Sequence, residues 1–484
     1  MAGDVIPGRA MIWSRTDRPA RMLVRWSTRE DFAPSRFSHP TSFKGPVCTA
    51  ETDFTGRLEL LGLPPDQQIF YEVTFEDAAA RNAMSQPVRG SFRTAPSHRQ
   101  RDVKLLWGGD VCGQGWGIDT ARGGMVTFET MRRMQADLFV HSGDTIYADG
   151  PLVPEVKLPD GELWHNIVTP EKAKVAETLA DFRGNHKYNL LDASVRRFNS
   201  GIAQVWQWDD HEVLNNWSSS KDLSGDPRYS EKNIATLVQR ARKAFLEYAP
   251  VRFTPMAPER VYRKIPYGPR LDVFVIDMRS YRGPNNYNRE TQETPFLGRP
   301  QVQWLLDGLR SSRATWKVIA ADMPIGLQVG DGKDRQDRPM FENVANGNGP
   351  ALGRELELAR LLRELKQANV QNIVWLTADT HYTAAHHYHP DRAQFKDFLP
   401  FWEFMSGPLH AGTFGPGVTD DTFGIEVVYQ KHPPAGQGGV GPSAGMQFFG
   451  EVQIAGASGD LTVTLRDMTG AALYTKTLRP TASA

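Results

Sequence analysis

Leu138-Phe139-Val140-His141-Ser142-Gly143-Asp144-Thr145-Ile146-Tyr147 is the stretch on which the reading of the whole chain turns. Its first three residues form an apolar run of the kind a buried strand carries, and Gly143 is the small residue that lets the chain turn where the run ends. In α/β folds ligands gather at the carboxyl ends of the strands, which is where Asp144 and Tyr147 fall. A carboxylate can bridge two cations, and a phenol three residues on can reach one of them. Taken alone, Gly-Asp-x-x-Tyr is equally an ordinary strand-end turn with a capping Asp and a packed Tyr. Its neighbours decide between the two.

Working outward, residues 103–107, 202–208, 271–276, 316–321 and 373–376 are further apolar, strand-like runs, separated by helix-like stretches near 125–134, 231–248, 301–309 and 353–368. That alternation is the grammar of an α/β fold with a parallel-type sheet. Three of these runs end, as 138–140 does, in ligand-type side chains: Asp110 with Cys112, Asp210 with His211, and Asp379 with His381. Strand ends of such a sheet converge on one edge, so the four together predict a shared polyvalent metal site instead of four unrelated turns. Arg279, after the 271–276 run, is placed to fork a phosphate oxygen, and Asn216 to donate to another. His410 is a candidate pocket-lining residue. The cluster His386-His387-Tyr388-His389 has no carboxylate or thiolate at ligand spacing and reads as packing or rim. Segment 326–349, rich in Gly, Asn and Asp, is too long for a plain connection and reads as a rim loop or lid.

Residues 1–97 are expected to form an all-β domain. Alternation is clearest over 69–75, and Gly90-Ser91-Phe92-Arg93-Thr94 resembles the closing strand of a fibronectin-III-like sandwich. After a polar linker, residues 102–484 make up the α/β part, including strands within 446–478. The 484 residues carry a formal net charge of zero with no basic block, so there is no electrostatic case for a duplex nucleic-acid or anionic-membrane partner. No apolar run approaches a membrane span. The first residues have neither a basic nor an apolar leader, which fits a cytosolic chain or one already trimmed. Cys48 and Cys112 do not make a disulfide framework, and Cys48 reads as a small buried hydrophobe.

The ordered set Asp-x-Cys, Gly-Asp-x-x-Tyr, Trp208-Asp209-Asp210-His211-Glu212 and Asp-x-His resembles the alkaline phosphatase D (PhoD) family of metallophosphoesterases, relatives of the purple acid phosphatases. The resemblance extends to Asp277-Met278-Arg279-Ser280-Tyr281-Arg282 and Glu403-Phe404-Met405-Ser406-Gly407, and so covers nearly the whole chain. It implies a four-layer α/β/β/α sandwich behind the N-terminal β domain, and a binuclear metal centre that hydrolyses phosphate mono- and diesters by metal-activated hydroxide. By analogy, Asp110, Cys112, Tyr147 and His381 would hold the first metal, Asp144 would bridge, and Asp210 and Asp379 would complete the second. Thiolate, phenolate and imidazole favour a transition metal, ferric iron above all. An all-oxygen second site suits calcium, or magnesium or manganese. The sequence has Asp-x-Cys where many relatives have Asp-x-His, Ala-Asp-x-His where they have Gly-His-x-His, and no histidine after Asp322. Those departures weigh against zinc or a di-manganese centre.

In the resembling enzymes the histidine of Asp-Asp-His-Glu faces the leaving group, which makes His211 the general acid, oriented by Glu212. The resemblance also implies export by the twin-arginine route. Two other readings remain open on the sequence: a phospholipase D-like diesterase, and a non-catalytic surface-binding protein with a relic metal site.

Overall fold

Alternate side chains of the apolar strands go to opposite cores, and that alternation builds the layers. In a computed structural model, which describes residues 1–34, 40–80 and 82–481, Leu105 and Trp107 of the strand Val103–Gly108 point into one core. Leu106, between them, joins Phe128, Met131, Phe139 and Phe198 in another. The strand Leu271–Val275 behaves likewise. Val273 and Val275 face the first core, while Phe274 packs with Leu305, Leu306, Leu361 and Leu362 of the helices Arg299–Ser311 and Arg354–Gln367. Strands buried on both faces read as continuous apolar runs, as these do.

Two large sheets therefore lie face to face across a shared core, with helices on both outer surfaces: the expected α/β/β/α sandwich. The first sheet has nine strands and the second seven. In the first, Val103–Gly108, Leu138–His141 and Ala203–Trp206 run parallel as neighbours. In the second, Leu271–Val275, Trp316–Ala320, Ile373–Thr377 and Phe401–Met405 do the same. The indole of Trp107 crosses between the sheets to donate to the Thr377 carbonyl (3.2 Å). Phe448–Ile454, Leu461–Asp467 and Ala472–Leu478 extend the first sheet antiparallel at one edge.

The described residues among the first 97 are β-strands and loops with one 3-10 turn at Ala50–Thr52, as expected, but the strands are shared out. Four of them (Ala20–Ser27, Thr41–Cys48, Gln68–Asp77 and Val88–Arg93) form a separate antiparallel sheet. Ala2–Ile6, Arg9–Arg15 and Thr55–Leu61 instead continue the nine-stranded sheet, with Ala2–Ile6 pairing in parallel with Ala203–Trp206. The fold change near residue 97 is thus not a break in hydrogen bonding. Among the described residues no helix is long and apolar enough to cross a membrane.

Glu355, in the first turn of the helix Arg354–Gln367, is 1% exposed. Burial, aided by Asp420, pushes its carboxyl up to about 8. An unfolded Glu titrates near ~4.3, so between about that pH and 8 the unfolded chain ionises this group while the fold keeps it neutral, and stability falls as pH rises. Glu355→Gln keeps an acceptor for the Leu352 amide (3.1 Å) and removes the penalty. Its unfolding free energy is expected to gain on wild type progressively from pH 5 to pH 8, by on the order of a few kcal/mol at the upper end, read by denaturant titration at each pH. A difference independent of pH would contradict this account.

Candidate metal centre

Left-handed backbone marks the site. Asp110, Asp144, Asp379 and His381 have φ of 66°, 48°, 66° and 60°, a region that L-residues enter at a cost and that Asp tolerates better than most. Each lies just past the end of a parallel strand, where the chain must reverse sharply. Gly143 has φ of 102°, and a Cβ there would stand 2.4 Å from that of Asp209, so only glycine lets these two strand ends approach. The loops are stitched to each other: the Val111 amide donates to the Asp144 carbonyl (3.0 Å) and the Ala378 amide to the Asp322 carbonyl (2.8 Å).

Among the described residues, three groups of side chains that could hold a metal ion result: Asp110, Asp144 and His381; Asp144, Asp210 and His211; Asp209, Asp210 and Asp379. Within each, one ligand atom per residue lies within 4.8 Å of the others. Asp144 belongs to the first two and Asp210 to the last two, so the groups form one chain of overlapping sites. The Tyr147 hydroxyl joins the first through His381 Nε2 (2.7 Å). His381 Nδ1 faces the Gly412 carbonyl at 2.5 Å; as donor there it leaves Nε2 with a lone pair toward the site.

The electrostatics ask for a cation. Both Asp110 oxygens, Asp144 Oδ2, Asp209 Oδ2 and Asp210 Oδ1 are buried without a hydrogen-bond partner. Burial first, and the neighbouring Asp210 and Glu212 next, push Asp110 up to about 8, against the pull of His211. Asp144, Asp209 and Asp379 are held well above the usual carboxylate range, again chiefly by burial. Asp210 goes the other way: burial raises it, but His211, Arg279 and the backbone amides of Asn216 and His211 together pull it below its ordinary value. Orphaned, mutually repelling oxygens of this kind are what a polyvalent ion satisfies. Stripping metal with a chelator is therefore expected to lower the melting temperature by a few degrees, and adding it back at ~100 times Kd to restore about 2.7 kcal/mol. Scanning calorimetry before and after dialysis checks both.

Several sequence expectations need correction. Cys112 lies in none of the three groups. It is buried in the apolar cluster that also holds Val111, Ile118, Met125 and Leu409. Arg279 is fully buried, and every nitrogen of its guanidinium already faces a carboxylate. It is ringed by Asp209, Asp322, Glu342 and, at 3.4 Å, Asp379, holding those carboxylates together by charge. His410 is buried with Nε2 2.9 Å from the Gly117 carbonyl and its ring against Trp164, which removes it from the pocket. Glu212 does not orient His211. Its carboxylate accepts from the backbone amides of Asp144 (3.2 Å), Thr145 (2.6 Å) and Asp209 (2.6 Å) and from the Thr145 hydroxyl (2.6 Å), clamping two strand-end loops together.

Asp149 is the partner of His211, at 2.6 Å from Nδ1. Burial alone would lower the imidazole; Asp149, Asp210 and Asp144 instead raise it well above its ordinary value. The ring lies over Tyr147, with centroids 4.2 Å apart, and its side chain keeps 13% of its surface exposed. Asn216 is half-buried beside it; its amide donates to Asp210 Oδ2 (2.6 Å) and its side chain to the Gly330 carbonyl (3.1 Å). Gly330 opens the hairpin made by Gly330–Lys333 and Pro339–Phe341, which lies within the Gly-, Asn- and Asp-rich segment 326–349. His386 is buried against Glu403 (2.9 Å), in keeping with a packing role.

An α/β/β/α sandwich with acidic and histidine side chains converging at the carboxyl ends of its parallel strands defines the metallophosphoesterase class of proteins. The chain belongs to the PhoD-like phosphatase family: the model of that family matches residues 105–465, and that of the PhoD-like phosphatase N-terminal domain matches residues 1–96. It is 29% identical over 315 residues to alkaline phosphatase D of Bacillus subtilis (strain 168), covering 61% of this chain and 50% of that protein; the chain thus spans about half the length of this curated relative. Among solved structures, a PhoD structure superposes with a TM-score of 0.69 at 18% identity, covering 99% of this chain and 91% of the other. Purple acid phosphatase PPD1 from yellow lupin (Lupinus luteus) seeds gives 0.55 at 11% identity, covering 98% and 72%. At those identities the two likenesses bear on the fold.

Proposed function

We propose that the protein hydrolyses phosphate monoesters and diesters at a binuclear metal centre. The observation that carries this reading is the chain of overlapping ligand groups in which Asp144 and Asp210 are each shared. Asp110, Tyr147 and His381 would hold one ion, Asp210 and Asp379, with Asp209 beside them, the other, and Asp144 would serve both. The hard, all-oxygen second set suits calcium, magnesium or manganese, and phenolate with imidazole at the first suits ferric iron. Such a pair would supply positive charge to the phosphoryl oxygens and make water more acidic.

The chain's own groups then do the following. His211 presents a protonated imidazole at the opening and gives its proton to the departing alkoxide. Asp149 fixes that ring and its charge through Nδ1. Glu212 and Arg279 hold the strand-end carboxylates in register without touching substrate. The experiment is hydrolysis of p-nitrophenyl phosphate, bis-p-nitrophenyl phosphate and phosphatidylcholine by metal-free and metal-loaded protein, with elemental analysis alongside. Metal-dependent release of nitrophenol from the first two is expected. Loaded protein that cleaves neither would overturn the reading, and cleavage of the lipid alone would replace it with a lipid diesterase.

A further inference from the structure

Phe414 is a large apolar side chain left 37% exposed, and it stands directly on the candidate metal centre. Its ring packs edge-on against the imidazole of His381, with centroids 5.6 Å apart at 65°. Its backbone amide donates to the His381 carbonyl (3.0 Å), which ties the two residues together. His381 itself is 5% exposed. The Phe414 ring therefore lies between a buried ligand-type histidine and solvent.

The ring is also held from behind. The preceding residue, Thr413, exchanges two backbone hydrogen bonds with Val440 (2.9 and 3.1 Å), and its hydroxyl donates to the Met446 carbonyl (2.5 Å). That fixes the glycine-rich segment 436–441 against the Phe414 loop. A Cβ on Gly438 would come within 3.1 Å of the ring, and one on Gly439 within 3.7 Å. Glycine backbone thus lines one side of the ring, and the ring stays 37% exposed. A single exposed Phe on a protein surface needs no explanation. One clamped beside a metal-type centre, with glycines where side chains would hide it, is built like the apolar wall of a binding pocket.

We propose that Phe414 is a specificity-determining residue: a rigid aromatic platform at the mouth that stacks a flat ring carried by the substrate, so that aryl or base-bearing phosphate esters are preferred over aliphatic ones. This rests on the phosphate-ester reading above. Ring stacking is indifferent to the identity of the ring, since every aromatic has a π-face, so the preference is for a class.

Direct binding tests it without turnover. Phenylphosphonate and methylphosphonate share the metal-binding headgroup and differ in the ring, and neither has an ester bond to cleave. Titration calorimetry on the metal-loaded protein is expected to show phenylphosphonate bound about tenfold more tightly, equivalent to ~1.4 kcal/mol. In Phe414→Ala that ratio falls to within about twofold, and in Phe414→Tyr it is restored. Equal affinities in wild type, or a ratio untouched by Phe414→Ala, overturn the platform while methylphosphonate binding leaves the ester site standing. If neither phosphonate binds wild type, the ester-site reading fails and the platform fails with it.

Discussion

Replacing Asp144 by Asn is expected to abolish high-affinity metal binding and to cut turnover of p-nitrophenyl phosphate by ~10³-fold or more, about 4 kcal/mol of barrier. The size follows from position: Asp144 stands with Asp110 and His381 in one group and beside Asp210 in the next, so removing its charge takes a ligand from the first ion and negative charge from the neighbourhood of the second. The substitution is conservative everywhere else. Asn adopts left-handed backbone as readily as Asp, and Asp144 has φ of 48°. An amide oxygen can still accept the His211 amide now held by Asp144 Oδ1 at 3.0 Å. The metal-free variant should then be at least as stable as metal-free wild type, because it deletes one of several buried, mutually repelling carboxylates. Loss of activity together with a gain or no change in metal-free melting temperature is the expected pair. Loss of both would show that Asp144 holds the loop and not the ion.

How much of this was visible in the sequence varies from residue to residue, for physical reasons. The strands of the two parallel cores were legible because burial on both faces forces continuous apolar runs, and the ends of those runs located Asp110, Asp144, Asp210 and Asp379. Asp322 ends the same kind of run and was passed over only because no histidine follows it. The joining of Ala2–Ile6 to Ala203–Trp206 was not legible, since strand register across such a separation leaves no local mark. The helix Leu179–Asn189 escaped because it has no clear apolar stripe, although its capping box of Thr178 and Asp181 was readable. Arg279 shows the limit of motif reading. An Arg after an Asp at a strand end looks like a phosphate fork, and only the positions of Asp209, Asp322 and Glu342 reveal that its charge is already spoken for. Cys112 is a second case: spacing placed it next to the centre, and it is buried with an apolar cluster and outside the three groups of ligand-type side chains.

The partner of His211 yields the other large expected effect. His211→Ala is expected to lower kcat by ~10²–10⁴-fold, the usual span for a lost general acid. Asp149→Asn should cost about 10–100-fold, because the ring keeps an acceptor at Nδ1 but loses the adjacent negative charge that favours its protonated form. A general acid matters most when the departing oxygen cannot leave unprotonated. Both variants should therefore lose more against alkyl phosphates than against p-nitrophenyl phosphate, and lose it in kcat with KM little changed. Glu212→Gln provides the contrast. Its carboxylate accepts four hydrogen bonds from the Asp144, Thr145 and Asp209 loops and none from His211, so its replacement should disturb metal affinity and affect both leaving groups alike. If Glu212→Gln gave the leaving-group-dependent loss and Asp149→Asn did not, the proton would be reaching the ester by a different route, and the 2.6 Å pairing of Asp149 with His211 would be an ion pair of the fold alone.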